Sequence, residues 1–355
     1  MKITRVTATT LRSPFRYPGD GSGGNLGLRS MDTLVVRVDT DAGLTGWGEA
    51  FGFGLCETTR IALEGLVAPL CLGQDAGDIP ALRLLLQRKL HNYGRNGAAS
   101  FAIAGVDIAL WDIAAQAACL PLHRFLGGPA TQSLPTYASL LRHGDPAVVR
   151  RGVEDAIARG FGRIKLHEVD PACVRAAREA APELPLMVDM NCPFTVEDAL
   201  AFADAVRPLS PAWIEEPVWP PEDAPALRRL RASCGLPVAA GECEGTVEGL
   251  RRLIDGAVDV IQPSVTKIGV SGMLEVAALA REAGVTVAPH SPYFGPGLLA
   301  TAHLIATWDG DAALEWYDAT LERPPFDMSF LPVAGRIALP QGPGLGLTPR
   351  QDAAG

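Results

Sequence analysis

From about Leu134 onward the chain alternates short apolar runs with helical stretches, and this alternation constrains the fold more than any other feature. The runs are Pro135 to Ser139, Ile164 to Leu166, Leu184 to Val188, Trp213-Ile214, Pro237 to Ala240, Val258 to Ile261, Val285 to Ala288 and Ala312 to Leu314. Strands separated by helices of roughly 10–15 residues pair in parallel. Eight of them favour a closed barrel over an open doubly wound sheet, and no GxGxxG follows the first strand to support dinucleotide binding. The polar residues that end the runs are His167, Asp189, Glu215, Glu242, Ser264, His290 and Glu315, spaced by 22, 26, 27, 22, 26 and 25 residues. Each step is about one strand–helix unit. Parallel strands place their carboxyl ends on one face, so this linear spacing converts into a ring of side chains around one mouth, where barrel enzymes carry their chemistry.

The preceding segment reads as α+β. Ile3 to Thr10 alternates like a strand, and Asp32 to Val38, Asp41-Ala42-Gly43 and Leu44 to Glu49 read as a hairpin. Helical periodicity covers Thr58 to Leu70, Ile79 to Tyr93 and Ser100 to Ala118; the last, rich in Ala, Gly and Ile, is expected to pack closely on both sides. Leu126-Gly127-Gly128-Pro129 ends this segment, and the composition changes there. Between the first strand and the hairpin lies Gly19-Asp20-Gly21-Ser22-Gly23-Gly24-Asn25-Leu26-Gly27, too glycine-rich for regular structure. It is either a surface connection or an active-site lid.

Composition narrows the function classes. At 355 residues the chain exceeds what one core usually holds, and 48% hydrophobic with 20% charged residues argues against disorder. A net charge of −9 argues against a nucleic-acid partner. No apolar run reaches the roughly 18 residues of a membrane span, and Met1 to Arg12 lacks the apolar centre of a signal peptide. The seven cysteines (56, 71, 119, 173, 192, 234, 243) are odd in number and include no CxxC, so neither a disulfide framework nor a structural zinc site is expected, and a cytoplasmic location is the default.

An acid after a strand often caps the next helix. That reading fits Asp189 poorly, because Thr195-Val196-Glu197-Asp198 offers a cap of its own; Glu215-Glu216 is followed by Pro217, and Glu242 by Cys243-Glu244-Gly245. Three carboxylates converging in a partly dry mouth repel one another unless protonated or neutralised. A hard divalent cation resolves this, and oxygen-only ligation points to Mg²⁺ rather than zinc. Lys165 and His167, at i and i+2 of one strand, share its inward face, and His290 approaches from another strand. Lone histidines are mostly structural; these two stand apart because both fall at strand ends. A cation between two proton carriers is the equipment for removing a proton next to a carboxylate, with Lys165 helping to stabilise the dianionic intermediate.

Phe161 to His167, Val188-Asp189-Met190-Asn191, Trp213-Ile214-Glu215-Glu216-Pro217, Gly241-Glu242 and Gln262-Pro263-Ser264-Val265-Thr266-Lys267-Ile268-Gly269 resemble the enolase superfamily, with the best match to its mandelate racemase/muconate lactonizing enzyme group. Gly46-Trp47-Gly48-Glu49 and Ile108-Ala109-Leu110-Trp111-Asp112 resemble that group's N-terminal capping domain. The resemblance implies a (β/α)₇β barrel over residues 126–325 and an α+β cap over 1–125, to which 326–355 return. It implies Asp189, Glu215 and Glu242 as Mg²⁺ ligands, and Lys165, His167 and His290 as catalytic residues acting through an ene-diolate, a pattern already described for this superfamily. Asn191, on the same side of its strand as Asp189, would contact the substrate, as would Glu315 and Ser264. The glycine-rich loop and Phe51 to Cys56 would close over a small-molecule carboxylate, in a homo-oligomer.

Two positions depart from the group's pattern. Where it usually presents Lys-x-Lys, this chain has Lys165-x-His167; an imidazole accepts a proton near neutrality without special tuning, but it is shorter, so the substrate's α-carbon must lie closer to that strand. Ser264 stands where racemases and many dehydratases place an aspartate behind the histidine corresponding to His290. Serine cannot hold an imidazolium, which puts a symmetric racemisation in doubt. The expected reaction is β-elimination of water from a hydroxy acid, a sugar acid by preference; a racemase, epimerase or cycloisomerase of a carboxylic acid is the alternative. Two other classes stay open: a lyase using Lys165 as a Schiff-base nucleophile, and a non-catalytic acid-binding homologue. Phe51, Phe53, Tyr293, Phe294 and Trp316 divide evenly between pocket and core, and Lys267 between surface ion pair and site contact.

Overall fold

The computed structural model describes residues 1–16, 30–326 and 330–347. The glycine-rich loop expected as a lid lies outside the described residues. Strands β1 (Ile3–Arg16), β2 (Ser30–Thr40) and β3 (Thr45–Ala50) form an antiparallel sheet. Its β2–β3 turn relies on Gly43 at φ 78°, a conformation that costs glycine little. The sheet buries Leu34, Val36 and Val38 in one core with Ala102, Val106, Ala109 and Ile113 of helix Ala98–Ala117. Gly48 makes the close approach possible: a Cβ there would stand 2.0 Å from the Gly105 carbonyl oxygen.

Helix Ala98–Ala117 also packs on barrel helix Val265–Ala283, so it is covered on two sides, as its composition predicts. By length and hydropathy alone it would pass for a membrane span, but most of it is buried between sheet and barrel. Asp107 and Asp112 interrupt the apolar run in the sequence, and both are buried in hydrogen bonds. Asp107 accepts from the Ser271 N–H and hydroxyl; Asp112 accepts from the N–H groups of Trp47 and Leu345.

Eight parallel strands follow: β4 (Ser133–Ser139), β5 (Ile164–Leu166), β6 (Leu186–Asp189), β7 (Trp213–Glu215), β8 (Val238–Ala240), β9 (Val260–Ile261), β10 (Thr286–Val287) and β11 (Leu314–Tyr317). Their order is β10-β9-β8-β7-β6-β5-β4-β11, with one α-helix in each of the seven crossovers, a (β/α)₇β barrel. At the seam between β10 and β11, Ser291 donates its N–H to Glu315 Oε2 at 2.8 Å and its hydroxyl to the Glu315 carbonyl at 3.1 Å. The helices after β6, β7 and β8 are capped by the side chains of Thr195, Asp223 and Thr246. Asp189, Glu215 and Glu242 are therefore released from capping.

The chain rejoins the antiparallel sheet through β12 (Thr320–Leu321), which pairs with the end of β1, earlier than the expected segment 326–355. Within that segment, β13 (Arg336–Ala338) instead pairs with the start of β4, and Leu345 reaches back to Asp112.

Glu49 sits at the seam between cap and barrel, where its Oε2 accepts the Gly297 N–H in the first turn of helix Pro296–Ile305. Burial raises its carboxyl from 4.5 to about 8, against the smaller lowering effect of that hydrogen bond. Between those values the folded chain holds a proton that the unfolded chain has released, so this group's contribution to stability falls as pH rises through the window. Glu49→Gln keeps an acceptor for Gly297. It is expected to melt close to the parent at pH 5 and several degrees higher at pH 8; identical pH dependence of the two melting curves would contradict this.

Candidate active site

Lys165, at the centre of β5, is fully buried and points into the barrel. Its Nζ lies 2.7 Å from Glu215 Oε1, 2.7 Å from Glu315 Oε1 and 3.4 Å from Asp189 Oδ2. Burial alone would lower its pKa, but the carboxylates of Glu215, Glu315 and Asp189 outweigh that and hold it well above the usual lysine value. An ammonium so held is no Schiff-base nucleophile, which needs the free amine. This geometry speaks against the Schiff-base lyase.

One ammonium does not neutralise three buried carboxylates. Asp189 is held below the ordinary aspartate range because, although burial opposes ionisation, Lys165 and His167 favour it. Glu215 is driven well above its ordinary value by burial and by the charges of Asp189, Glu315 and Glu242, which together outweigh Lys165. Such a deficit of positive charge is what a cation would supply. The fit to a metal is also geometric: carboxylate oxygens of Asp189, Glu215 and Glu242 lie within 4.8 Å of one another. Asp189 Oδ2 is buried with no well-formed hydrogen bond among the described residues. An octahedral Mg²⁺ separates its oxygen ligands by about 3–4 Å, and the donors are all oxygens.

The two histidines flank this triad. His167 Nδ1 lies 2.5 Å from the Leu140 carbonyl, so it carries the proton, and Nε2 faces Asp189 Oδ2 at 3.2 Å. His290 Nε2 lies 3.2 Å from Glu242 Oε2, the acid at the other end of the triad. Behind it, Nδ1 is 3.4 Å from the Ser264 hydroxyl, which bonds the Tyr293 hydroxyl. Two neutral hydroxyls thus stand behind His290, and no carboxylate bonds its Nδ1 among the described residues. Burial lowers the His290 pKa, against the opposing pull of Glu242 and Glu315.

Glu315 is anchored by Lys165, the Ser139 hydroxyl and the Ser291 N–H, and so holds Lys165 in place. Asn191 does not continue the strand as the period of two assumed. β6 ends at Asp189, Asn191 turns to φ 57°, and its Oδ1 accepts from Arg142 at 2.9 Å. Arg142 also donates to the carbonyls of His167 and Met190, tying together the ends of three neighbouring strands. No strand-end signal in the sequence marks Arg142, because it lies in the loop after β4, ahead of the first polar residue of the ring.

Lys267 is a buried site-side contact and not a surface ion pair: Nζ bonds the Glu242 carbonyl at 2.5 Å and stands 4.4 Å from the Phe51 ring centroid. Phe53 contacts Phe51 edge-on and stacks with Tyr293, so these three cross from cap to barrel; Phe294 and Trp316 pack on each other within the core. A further cluster went unforeseen: Cys192, Glu216 and Cys243, distant in sequence, also converge.

Residues 148–353 match the enolase C-terminal domain-like family, and residues 10–127 match the N-terminal domain of mandelate racemase/muconate lactonizing enzymes. The chain is 30% identical to a D-galactarolactone cycloisomerase of Agrobacterium fabrum, over 99% of this chain and 98% of that one. It is 33% identical to a D-galactonate dehydratase of Verminephrobacter eiseniae, over 85% of this chain and 77% of that one. A crystal structure of a mandelate racemase/muconate lactonizing protein from Paracoccus denitrificans, complexed with magnesium, matches at a TM-score of 0.85 and 29% identity, covering 99% and 96% of the two chains. The chain belongs to the mandelate racemase/muconate lactonizing enzyme group of the enolase superfamily.

Proposed function

We propose that this chain is a Mg²⁺-dependent lyase that removes the proton α to the carboxylate of a sugar acid and expels the β-hydroxyl as water. The observation that carries this reading is the joint placement of Asp189, Glu215 and Glu242 around one point, with Lys165 beside it and an imidazole on each flank. Those three acids would hold Mg²⁺, which supplies a Lewis acid for the substrate carboxylate when bound. The remaining chemistry falls to the chain itself. The Lys165 ammonium offsets the negative charge that gathers on the carboxylate oxygens as the α-proton leaves. One imidazole Nε2 accepts that proton, and the opposite Nε2 gives one to the departing oxygen. The electrons of the α C–H bond form a C=C bond as the β C–O bond breaks, and the resulting enol becomes a 2-keto-3-deoxy acid. Phe51, Phe53 and Tyr293 pack together where cap meets barrel, with Phe51 against the Lys267 ammonium.

A second reading keeps the same first step and changes the leaving group. In a lactone or anhydro sugar acid the departing oxygen belongs to the ring, so the product is an isomer. The near-complete mutual coverage with a cycloisomerase supports it.

Incubation with sugar acids and their lactones in D₂O containing Mg²⁺, followed by NMR, tests both. A 2-keto-3-deoxy product with loss of water supports the first reading, and an isomeric product supports the second. His167→Asn and His290→Asn are each expected to lower turnover roughly 10²–10⁴-fold. The variant lacking the base also loses α-deuterium exchange into recovered substrate, whereas the variant lacking the acid retains it. Binding of these acids without exchange or product in the parent enzyme would leave a non-catalytic binder.

A further inference from the structure

The strand ends that carry Asp189, Glu215 and Glu242 carry a second set of donors beside them. Cys192 follows Asp189 by three positions, and Glu216 and Cys243 follow Glu215 and Glu242 by one. The Sγ atoms of Cys192 and Cys243 and a carboxylate oxygen of Glu216 all lie within 4.8 Å of one another. Backbone turns cause the convergence: Cys192 and Glu216 hold φ values of 58° and 44°, and the Cys192 N–H bonds the Glu216 carbonyl at 2.6 Å. The Glu216 side chain is buried, with Oε1 accepting the Gly241 N–H at 2.9 Å and Oε2 accepting the Cys192 thiol at 3.2 Å. Both cysteines are half-buried free thiols, whereas Cys56, Cys71, Cys173 and Cys234 are enclosed in the core.

The donor chemistry separates this cluster from its neighbour. A tetrahedral ion with metal–sulfur bonds of about 2.3 Å holds two sulfurs roughly 3.8 Å apart, within the spacing found here. Two soft sulfurs and one oxygen select a thiophilic ion, while the all-oxygen triad selects a hard one. Adjacent sites of opposite preference can therefore fill without exchanging ions.

We propose that Cys192, Glu216 and Cys243 form a second metal site, for a divalent cation of the zinc class, with its fourth position open to water. Binding forms two metal–sulfur bonds and one metal–oxygen bond and sends the two thiol protons to solvent; no oxidant takes part. The ion clips together the ends of β6, β7 and β8, and so fixes the spacing of Asp189, Glu215 and Glu242. This inference rests on the donor set and not on the identity of the substrate.

Cd²⁺ titrated into the metal-free full-length chain, with saturating Mg²⁺ present, tests it through the ultraviolet thiolate-to-cadmium absorption. The expected result is one equivalent bound per chain, an absorbance matching two thiolates, and protection of Cys192 and Cys243 from alkylation in mass spectrometry. Cys192→Ser and Cys243→Ser are each expected to weaken Cd²⁺ binding at least about 100-fold, and Cys119→Ser to leave it unchanged. Mg²⁺ calorimetry on the same variants establishes that they are folded, and the alkylation result on the parent chain stands independently of them. An absorption that survives Cys243→Ser, or unprotected thiols in the Cd²⁺-loaded parent, would overturn the assignment. So would the loss of two hydrogens by mass, which marks closure of the pair as a disulfide.

Discussion

Asp189→Asn is expected to lower turnover roughly 10³–10⁴-fold while leaving the barrel folded. The substitution keeps the shape of the side chain and removes one anionic ligand from the triad. Metal-assisted stabilisation of the developing charge amounts to several kcal/mol, and each 1.36 kcal/mol is about tenfold in rate. The amide also replaces an acceptor by a potential donor beside Lys165 Nζ at 3.4 Å and His167 Nε2 at 3.2 Å. Lys165 retains its 2.7 Å contacts with Glu215 and Glu315, so the metal-free fold keeps those two pairs. Steady-state kinetics, with Mg²⁺ calorimetry in parallel, checks the prediction: rate and metal affinity fall together. A large loss of rate at unchanged Mg²⁺ affinity would mean that Asp189 acts in some way other than as a ligand.

Lys165→Met is expected to destabilise the metal-free chain by about 3–5 kcal/mol, the usual cost of leaving buried charges without their partner. The methionine fills much of the same volume, so the effect is electrostatic: Asp189, Glu215 and Glu315 lose their shared ammonium. Two consequences distinguish this from a simple packing defect. Mg²⁺ should narrow the difference in melting temperature between variant and parent, because a cation in the triad restores positive charge. Turnover should stay lost even with Mg²⁺ saturating, because no ammonium then faces the substrate carboxylate. Thermal melts with and without Mg²⁺ decide it; a stability deficit indifferent to the ion would refute the electrostatic reading.

The ring of polar residues was legible because a parallel barrel turns linear spacing into position. Steps of 22 to 27 residues survive small errors in strand length, which is why β9 and β10 can shrink to two residues each without moving Ser264 or His290 off the mouth. Helix caps were legible for a similar reason: Thr195 is a local signal, and it freed Asp189 for another use. What stayed hidden depends on backbone turns past the strand ends. The positive φ of Asn191, Cys192 and Glu216 breaks the alternation of sides just where the pattern was extended. Asn191 consequently swings toward Arg142, and Cys192 toward Glu216. The absence of a CxxC motif likewise concealed the cysteine pair, because its members come from strands two apart in the barrel.

That a single divalent ion joins Asp189, Glu215 and Glu242 is tested most directly by anomalous diffraction from crystals grown with Mn²⁺ in place of Mg²⁺. The predicted result is one strong anomalous peak per chain at the barrel mouth, within about 2.3 Å of an oxygen from each of the three side chains. A peak bonded to fewer than two of them, or manganese bound elsewhere with Asp189 and Glu215 still closed on Lys165, would contradict it.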